Sequence, residues 1–295
     1  MRKVRKLVVM AAMVMLFTAC MGMGVSAADK TLKAGKWTSG KGGAYIDIDK
    51  DGEIDGFKSS GTAYYKIKIS KQGYIMVDIK TSSLPGIEGY RDYLKYELEF
   101  DEPEEESTEV YFLDAKKREL MSTSNFLEDG KSIVFSAAVK KGTYYIAVSG
   151  NQKYKARYSF TGVPKVSKAG KTMNKAVILK KGITIKRLFF GEGKRSLTTF
   201  GDYYKIKLPK KTKVRLECSS KIKGMILSDL EVYIYAKKGK NFRCVDKKGR
   251  LCKNDSDIGT SFEGKGTVTY TLPKGTYYVR ALSTSGSGYY TMKWK

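Results

Sequence analysis

Five acidic side chains lie between residues 47 and 55 and are spaced as metal ligands would be. Carboxylates at alternate positions, followed by a glycine and an apolar residue, are typical of the first half of a calcium-binding loop. The twelfth position of such a loop is Lys58, where an acid belongs. The segment also fits a β-hairpin with strands at 44–49 and 53–57, which is our favoured interpretation. Calcium is thus a candidate cofactor, not a required one, and its ligands would be Asp47, Asp49, Asp51, Glu53 and Asp55.

Catalytic chemistry is poorly supported, because the chain contains no histidine. This excludes Ser-His-Asp and Cys-His nucleophiles and histidine-based zinc sites. A carboxylate pair could still act as acid and base, but the densest acidic run, at 101–106, is typical of a solvated loop. No glycine-rich phosphate-binding motif is present. We therefore predict that the protein is not an enzyme.

Two cysteines near the C-terminus are spaced for a disulfide bond. Cys244 and Cys252 flank residues 245–251. A three-residue hairpin loop at 247–249, with Gly249 in the left-handed conformation, would place them directly opposite each other. A disulfide is chemically permitted outside the cytoplasm, so we predict a Cys244–Cys252 bond.

Three blocks of sequence occur twice in the same order, which indicates a tandem duplication of roughly 135 residues. Residues 138–149 (AVKKGTYYIAVS) match 271–283 (TLPKGTYYVRALS), and 63–79 match 202–218. Between these blocks, 109–117 match 231–239. In this alignment Cys218 corresponds to Ile79, an inward position, so we predict that Cys218 is a free thiol in the core.

Alternation with a period of two dominates the chain, and Val, Ile, Tyr and Thr are enriched between glycine-containing turns. This pattern predicts an all-β protein of two tandem jelly-roll-like antiparallel β-sandwich domains. We place the first domain at 28–162, a linker at 163–170 and the second domain at 171–295.

The same alternation separates an apolar face from a basic, tyrosine-bearing face in both copies. Tyr65, Ile67 and Ile69 would point inward, as would their counterparts in the second copy. The outward side chains either contact a sugar or peptide or simply stabilise the sheet through cross-strand pairs. The candidate ligand-binding residues are Tyr64, Lys66, Lys68, Tyr145, Tyr203, Lys205, Lys207, Tyr278 and Arg280.

The N-terminus is typical of a secretory signal peptide at 1–27, with a basic start, an apolar stretch and a small-residue cleavage site. The mature protein would be secreted or attached to the cell surface. Two alternatives stay open. Residues 16–20 resemble a lipobox, which would make Cys20 a lipid anchor. Residues 7–27 are also long enough to span a bilayer uncleaved.

Basic residues are in large excess. The formal net charge is +26, and loss of the signal peptide lowers it to +22. A field of this strength favours anionic partners. Alternatively, lysines spread along strands protect sheet edges from aggregation. No nucleic-acid-binding motif is present, so we expect no specific nucleic-acid partner.

The second copy resembles the bacterial pre-peptidase C-terminal (PPC) domain. The segments that carry this resemblance are 174–182, 201–206 (GDYYKI), 228–235 (SDLEVYIY), 274–280 (KGTYYVR) and 288–291 (GYYT). The resemblance implies a jelly-roll-like β-sandwich of secreted proteins, related to collagen-binding domains that bind calcium and use surface tyrosines. The first copy departs from the pattern, because Ala63 stands where the second has Asp202.

These observations predict a secreted or cell-surface adhesion protein without catalytic activity. Its partner would be an extracellular anionic polymer or a matrix protein, bound through the basic faces with their tyrosines. It would touch a membrane only through the N-terminal segment or a lipid on Cys20. The alternative is a structural spacer or accessory module of a secretion or proteolysis apparatus, with no ligand of its own.

Overall fold

The computed structural model describes residues 30–41, 44–48, 54–59, 62–82, 107–126, 132–150, 153–190, 201–223, 230–252, 259–283 and 286–295. In these ranges the only regular secondary structure besides β-strands is one 3₁₀ turn, Met173–Lys175. The predicted fold class is confirmed, since the strands form two successive β-sandwiches that are antiparallel apart from one short parallel pair in each. No helix in the described ranges has the length and apolar character needed to cross a bilayer.

The first sandwich contains two main sheets. One has five strands in the order β1-β5-β10-β7-β8, and the other has four in the order β2-β11-β6-β9. Strands β3 and β4 form a separate hairpin. The strands are β1 (Lys30–Thr31), β2 (Thr38–Lys41), β3 (Ala44–Ile48), β4 (Ile54–Ser59), β5 (Ala63–Ile69), β6 (Gly73–Ser82), β7 (Ser107–Leu113), β8 (Glu119–Phe126), β9 (Ser132–Val139), β10 (Gly142–Gly150) and β11 (Lys153–Gly162).

The second sandwich repeats this arrangement. Its larger sheet has the order β12-β14-β20-β16-β17, with β18 also paired to β16, and its smaller sheet has the order β13-β21-β15-β19. The strands are β12 (Val177–Ile178), β13 (Thr184–Phe189), β14 (Asp202–Leu208), β15 (Thr212–Lys223), β16 (Leu230–Lys238), β17 (Asn241–Cys244), β18 (Thr260–Phe262), β19 (Lys265–Leu272), β20 (Gly275–Leu282) and β21 (Ser287–Trp294).

Each sandwich has its own apolar core, formed by the inward-facing residues that alternate along its strands. Tyr65, Ile67 and Ile69 are buried in the first core, and Tyr204, Ile206 and Leu208 take the same places in the second. Cys218 is buried in the second core as a free thiol, as predicted. Successive side chains on a strand point to opposite faces, so the apolar alternation of the sequence determines which face is buried.

The two sandwiches pack against each other through the outer faces of their four-stranded sheets. Tyr74 and Tyr289 stack with their ring centroids 5.5 Å apart. The buried Ser136 hydroxyl donates to the Ser287 carbonyl oxygen at 2.5 Å, and the Ser287 hydroxyl accepts from the Ala138 amide at 2.9 Å. Stacked rings and paired buried polar groups indicate a specific junction.

The hairpin predicted at the acidic segment is confirmed, since β3 pairs with β4 in antiparallel register. The turn that joins them, with Asp49, Asp51 and Glu53, lies outside the described residues. Asp47 and Asp55 belong to the two strands. Calcium binding by these acids stays a prediction. Residues 1–27 and Cys20 also lie outside the described part of the chain.

Candidate functional site

The predicted tyrosine and lysine residues lie together on the outer faces of the two larger sheets. In the first domain Lys66 stands directly opposite Tyr145 on β5 and β10. In the second domain Lys205 stands opposite Tyr278, and Tyr203 opposite Arg280, on β14 and β20. The outward lysines Lys68 and Lys207 are exposed at the equivalent place in each sheet. The duplication therefore builds the same basic face twice.

Tyr145 is not an open contact surface, which corrects the prediction for this residue. It is 7% exposed and packs with Leu113 and Ala147 in a small apolar cluster on the outer face. The ammonium nitrogen of Lys117 lies 5.2 Å from its ring centroid and 4.1 Å from that of Tyr64. The aromatic rings of this face are thus engaged by cation–π contact and packing within the protein.

Tyr203 requires the same correction, since it is 6% exposed. The Arg280 guanidinium lies 5.8 Å from its ring centroid. The backbone of Gly170 pairs with that of Tyr203 through two hydrogen bonds of 3.0 Å, so the linker runs beside this strand. Tyr278 is half-buried and meets Phe242 edge to face at 4.8 Å. These faces therefore offer mainly cationic groups, with aromatic rings largely used for internal packing.

The disulfide predicted between Cys244 and Cys252 stays a prediction. The hairpin behind the prediction is confirmed: Val245 pairs with Leu251, Gly249 has φ 79°, and the Cys252 amide donates to the Cys244 carbonyl oxygen at 3.0 Å. The two side chains differ in environment. Cys244 is fully buried, whereas Cys252 is half-exposed with Sγ 3.6 Å from the Arg250 carbonyl oxygen.

Asp202 belongs to a buried ionic network. The Arg187 guanidinium donates to both of its carboxylate oxygens at 2.8 Å, and the Tyr290 hydroxyl donates to Oδ2 at 2.6 Å. The negative charge of this carboxylate is thereby balanced by arginine. In the described part of the chain, no three acidic, cysteine or histidine side chains come together in a metal-binding cluster.

A groove on the outer face of the second domain's smaller sheet was not predicted from the sequence. It has a volume of about 510 Å³ and crosses all four strands of that sheet. Its lining combines hydroxyl groups with charged side chains. The hydroxyl residues are Thr184, Ser219, Thr267 and Thr291, and the charged residues are Glu217, Lys265 and Lys293.

The charge around this groove is strongly positive. Glu217 is the only carboxylate that the described strands place on this face, and it pairs with Lys295 at 3.2 Å and with Arg215 at 3.5 Å. Lys186 extends the basic rim, because it stands opposite Thr291. The positive charges of Arg215 and Lys295 balance the negative charge of Glu217. Lys186, Lys265 and Lys293 therefore give an excess of positive charge beside the hydroxyl groups.

The groove could not be predicted from the sequence, because it depends on which distant strands pair with one another. Thr267, Thr269 and Thr271 on β19 alternate with buried residues, a signal visible in the sequence. The face forms only because β13, β21, β15 and β19 become neighbours, although they are distant along the chain. Alternation shows which residues point outward, but it does not show which strands lie side by side.

No protein-family model matches the chain, and no curated protein matches it. Among solved structures it is similar to the tandem CBM22 domains of Xyn10C from Paenibacillus barcinonensis, with 8% identity, a TM-score of 0.23 and coverage of 92% of this chain and 98% of that one. It is also similar to the CUB1-EGF-CUB2 domains of rat MASP-1, with 10% identity, a TM-score of 0.21 and coverage of 89% and 99%. A third structure, tripeptidyl peptidase 2, shows 12% identity and a TM-score of 0.25 over 90% of this chain and 24% of that chain.

Proposed function

We propose that the protein is a non-catalytic binding protein that attaches to an acidic polysaccharide outside the cell. The observation that carries this proposal is the groove of the second domain, where hydroxyl groups and unbalanced lysines line one surface. Sugars are rich in hydroxyl groups, which pair with threonine and serine side chains. Acidic substituents on the sugars would pair with the lysines.

Long-range attraction supports the same interpretation. The whole chain carries a formal net charge of +26, so an anionic polymer is attracted before any specific contact forms. The basic faces of the two larger sheets, with Lys68 and Lys207 exposed, add to this field. Exposed charges attract a partner more than they fix it in place, so specificity would come from the groove.

The proposal is tested by retention of the protein on immobilised heparin, with neutral dextran as the matrix control. Changing Lys265 and Lys293 together to glutamine should lower the salt concentration needed for elution, because two groove cations are lost. A matched control changes Lys237 and Lys238 to glutamine, which removes the same charge from exposed positions at the end of β16. Equal shifts for both double variants would show that net charge alone, and not the groove, controls retention.

A spacer function is the second candidate, and the domain junction favours it. A buried serine pair and a stacked tyrosine pair hold the sandwiches together, as a spacer of fixed length would require. A spacer without its own ligand would pass through heparin and other acidic matrices unretained at low salt. Retention that responds to salt and to the groove lysines supports the binding function instead.

A further inference from the structure

The outer face of the first domain's smaller sheet corresponds residue by residue to the groove face of the second. On the second face, Thr184, Lys293, Glu217 and Thr267 form one row across the four strands. Strand pairing gives the equivalent row of the first face as Arg157, Asp78 and Val134. Trp37, the residue before β2, lies against Arg157 at the end of this row. A cation stands beside a carboxylate in both rows, and a tryptophan lies at the end of the first row where Thr184 ends the second.

Trp37 is an exposed aromatic side chain in contact with two cations. It is 37% exposed, with the Arg157 guanidinium carbon 4.3 Å from its ring centroid and the Lys80 ammonium nitrogen 5.5 Å away. Tryptophan is the strongest cation–π partner among the side chains, so these contacts hold the indole against the sheet. The exposed part of the indole can pack against a ligand.

Arg157 has hydrogen-bonding capacity left for a ligand. Its Nε and Nη2 atoms both donate to Asp78 Oδ2, at 3.0 and 2.7 Å, which fixes the orientation of the guanidinium plane. A guanidinium has five N–H donors in a planar fork that matches a carboxylate. The donors directed away from Asp78 therefore offer a positioned anion-binding edge beside the indole ring.

The neighbouring row adds further positive charge. Lys155 and Lys80 stand directly opposite each other on β11 and β6, and both are exposed. Ser39 and Ser132 complete this row at its two ends. The Trp37 indole, the oriented Arg157 guanidinium and two exposed lysines thus lie close together on one face of the sheet.

We propose that this Trp37 platform, formed by Trp37, Arg157, Lys80 and Lys155, binds a uronic acid unit of an acidic polysaccharide. The C–H face of the sugar ring packs on the exposed indole, and its carboxylate accepts hydrogen bonds from Arg157. Lys155 and Lys80 pair with the carboxylate of the next unit. This site is separate from the groove of the second domain and stands whether or not that groove binds.

Tryptophan fluorescence of the full chain tests the platform, with oligogalacturonate as the probe. The chain has two tryptophans, and Trp294 is buried at 9% exposure, so a change caused by binding reports Trp37. Added oligogalacturonate should shift the fluorescence emission of Trp37 until the shift reaches a plateau. In calorimetry, Trp37→Ala and Arg157→Gln should each weaken binding about tenfold or more, whereas Trp37→Phe, which keeps an aromatic face, should lose only a few-fold.

Three controls make the result specific. Val134→Ala changes another exposed apolar residue of the same row and should leave the affinity unchanged. The double variant Lys265→Gln and Lys293→Gln should show the same Trp37 emission shift as the wild type, because these lysines belong to the groove and not to this site. Inorganic polyphosphate, an anion without a sugar ring, should not reproduce the emission shift. Wild-type affinity in a folded Trp37→Ala variant, or the same shift with polyphosphate, would overturn the proposal.

Discussion

Tyr290 donates a 2.6 Å hydrogen bond to the carboxylate of Asp202 within the core of the second domain. The Tyr290 oxygen also lies 3.0 Å from that of Tyr204. The first domain has the equivalent buried pair, Tyr65 and Tyr154, with oxygens 2.9 Å apart. It lacks the carboxylate, because Ala63 occupies the position of Asp202. The two copies therefore share a tyrosine pair but differ in its electrostatic support.

Removing one hydroxyl from each pair should destabilise the two domains unequally. Tyr290→Phe removes a hydrogen bond to a charged group as well as one to Tyr204, and bonds to charged groups contribute about 1.5–3 kcal/mol. Tyr154→Phe removes a neutral bond, which contributes about 1 kcal/mol. Denaturant unfolding of both variants should give the larger loss for Tyr290→Phe. Equal losses would show that Arg187 alone satisfies Asp202.

Stability should fall as the pH rises above about 10, the usual tyrosine pKa. Burial, followed by the hydrogen bond to Tyr65, raises the pKa of Tyr154, and burial raises the pKa of Tyr204. The hydrogen bond to Glu109 raises the pKa of Tyr111 to about 12. A raised folded-state pKa contributes stability below the unfolded value and loses it as the pH passes the folded value.

Absorbance at 295 nm during an alkaline titration, with circular dichroism in parallel, checks this expectation. Exposed tyrosines should ionise near pH 10, while the buried pairs should ionise only as the fold is lost. If all tyrosines ionised near pH 10 with the fold intact, burial would not protect these phenols.

The sequence was sufficient to predict features that depend on neighbouring residues, such as which residues of a strand face inward. The inward positions of β5 and β14, the hairpin loop at 247–249 and the buried state of Cys218 follow from local patterns, and the structure confirms them. Local patterns are sufficient here, because pleating and turn geometry determine the facing of nearby residues.

Contacts between segments that are distant along the chain could not be predicted from these local patterns. Lys117 covers Tyr64 and Tyr145 only because a hairpin loop folds over the sheet, and Gly170 pairs with Tyr203 only because the linker runs beside that strand. The Cys244–Cys252 bond stays a prediction for a similar reason. Opposite backbone positions do not fix the side-chain environments, which differ for Cys244 and Cys252.

Gly249 should be much less replaceable than Gly239, although both have positive φ. The φ values are 79° and 61°, a conformation that costs a residue with a Cβ about 1–2 kcal/mol. A Cβ at Gly249 would also lie 2.7 Å from Pro273 Cδ and 3.1 Å from the Thr271 carbonyl oxygen, whereas one at Gly239 would meet nothing within 4 Å.

Gly239→Ala therefore measures the backbone cost alone, and Gly249→Ala adds the steric cost of the contact with Pro273. Thermal unfolding should show the lower melting temperature for Gly249→Ala. A similar decrease for both variants would mean that the segment around Pro273 moves aside without cost.

The three described cysteines should differ sharply in reactivity toward iodoacetamide. Only the thiolate reacts, and burial raises the pKa of Cys218 to about 12. Cys244 is fully buried, whereas Cys252 is half-exposed. Peptide mapping after alkylation of the reduced, folded protein at pH 8 should find Cys252 labelled first and Cys218 protected, and alkylation without reduction tests the predicted Cys244–Cys252 bond. Alkylation in guanidinium chloride, where all three thiols are accessible, serves as the control. Rapid labelling of Cys218 in the folded protein would show that the second core opens on the timescale of the reaction.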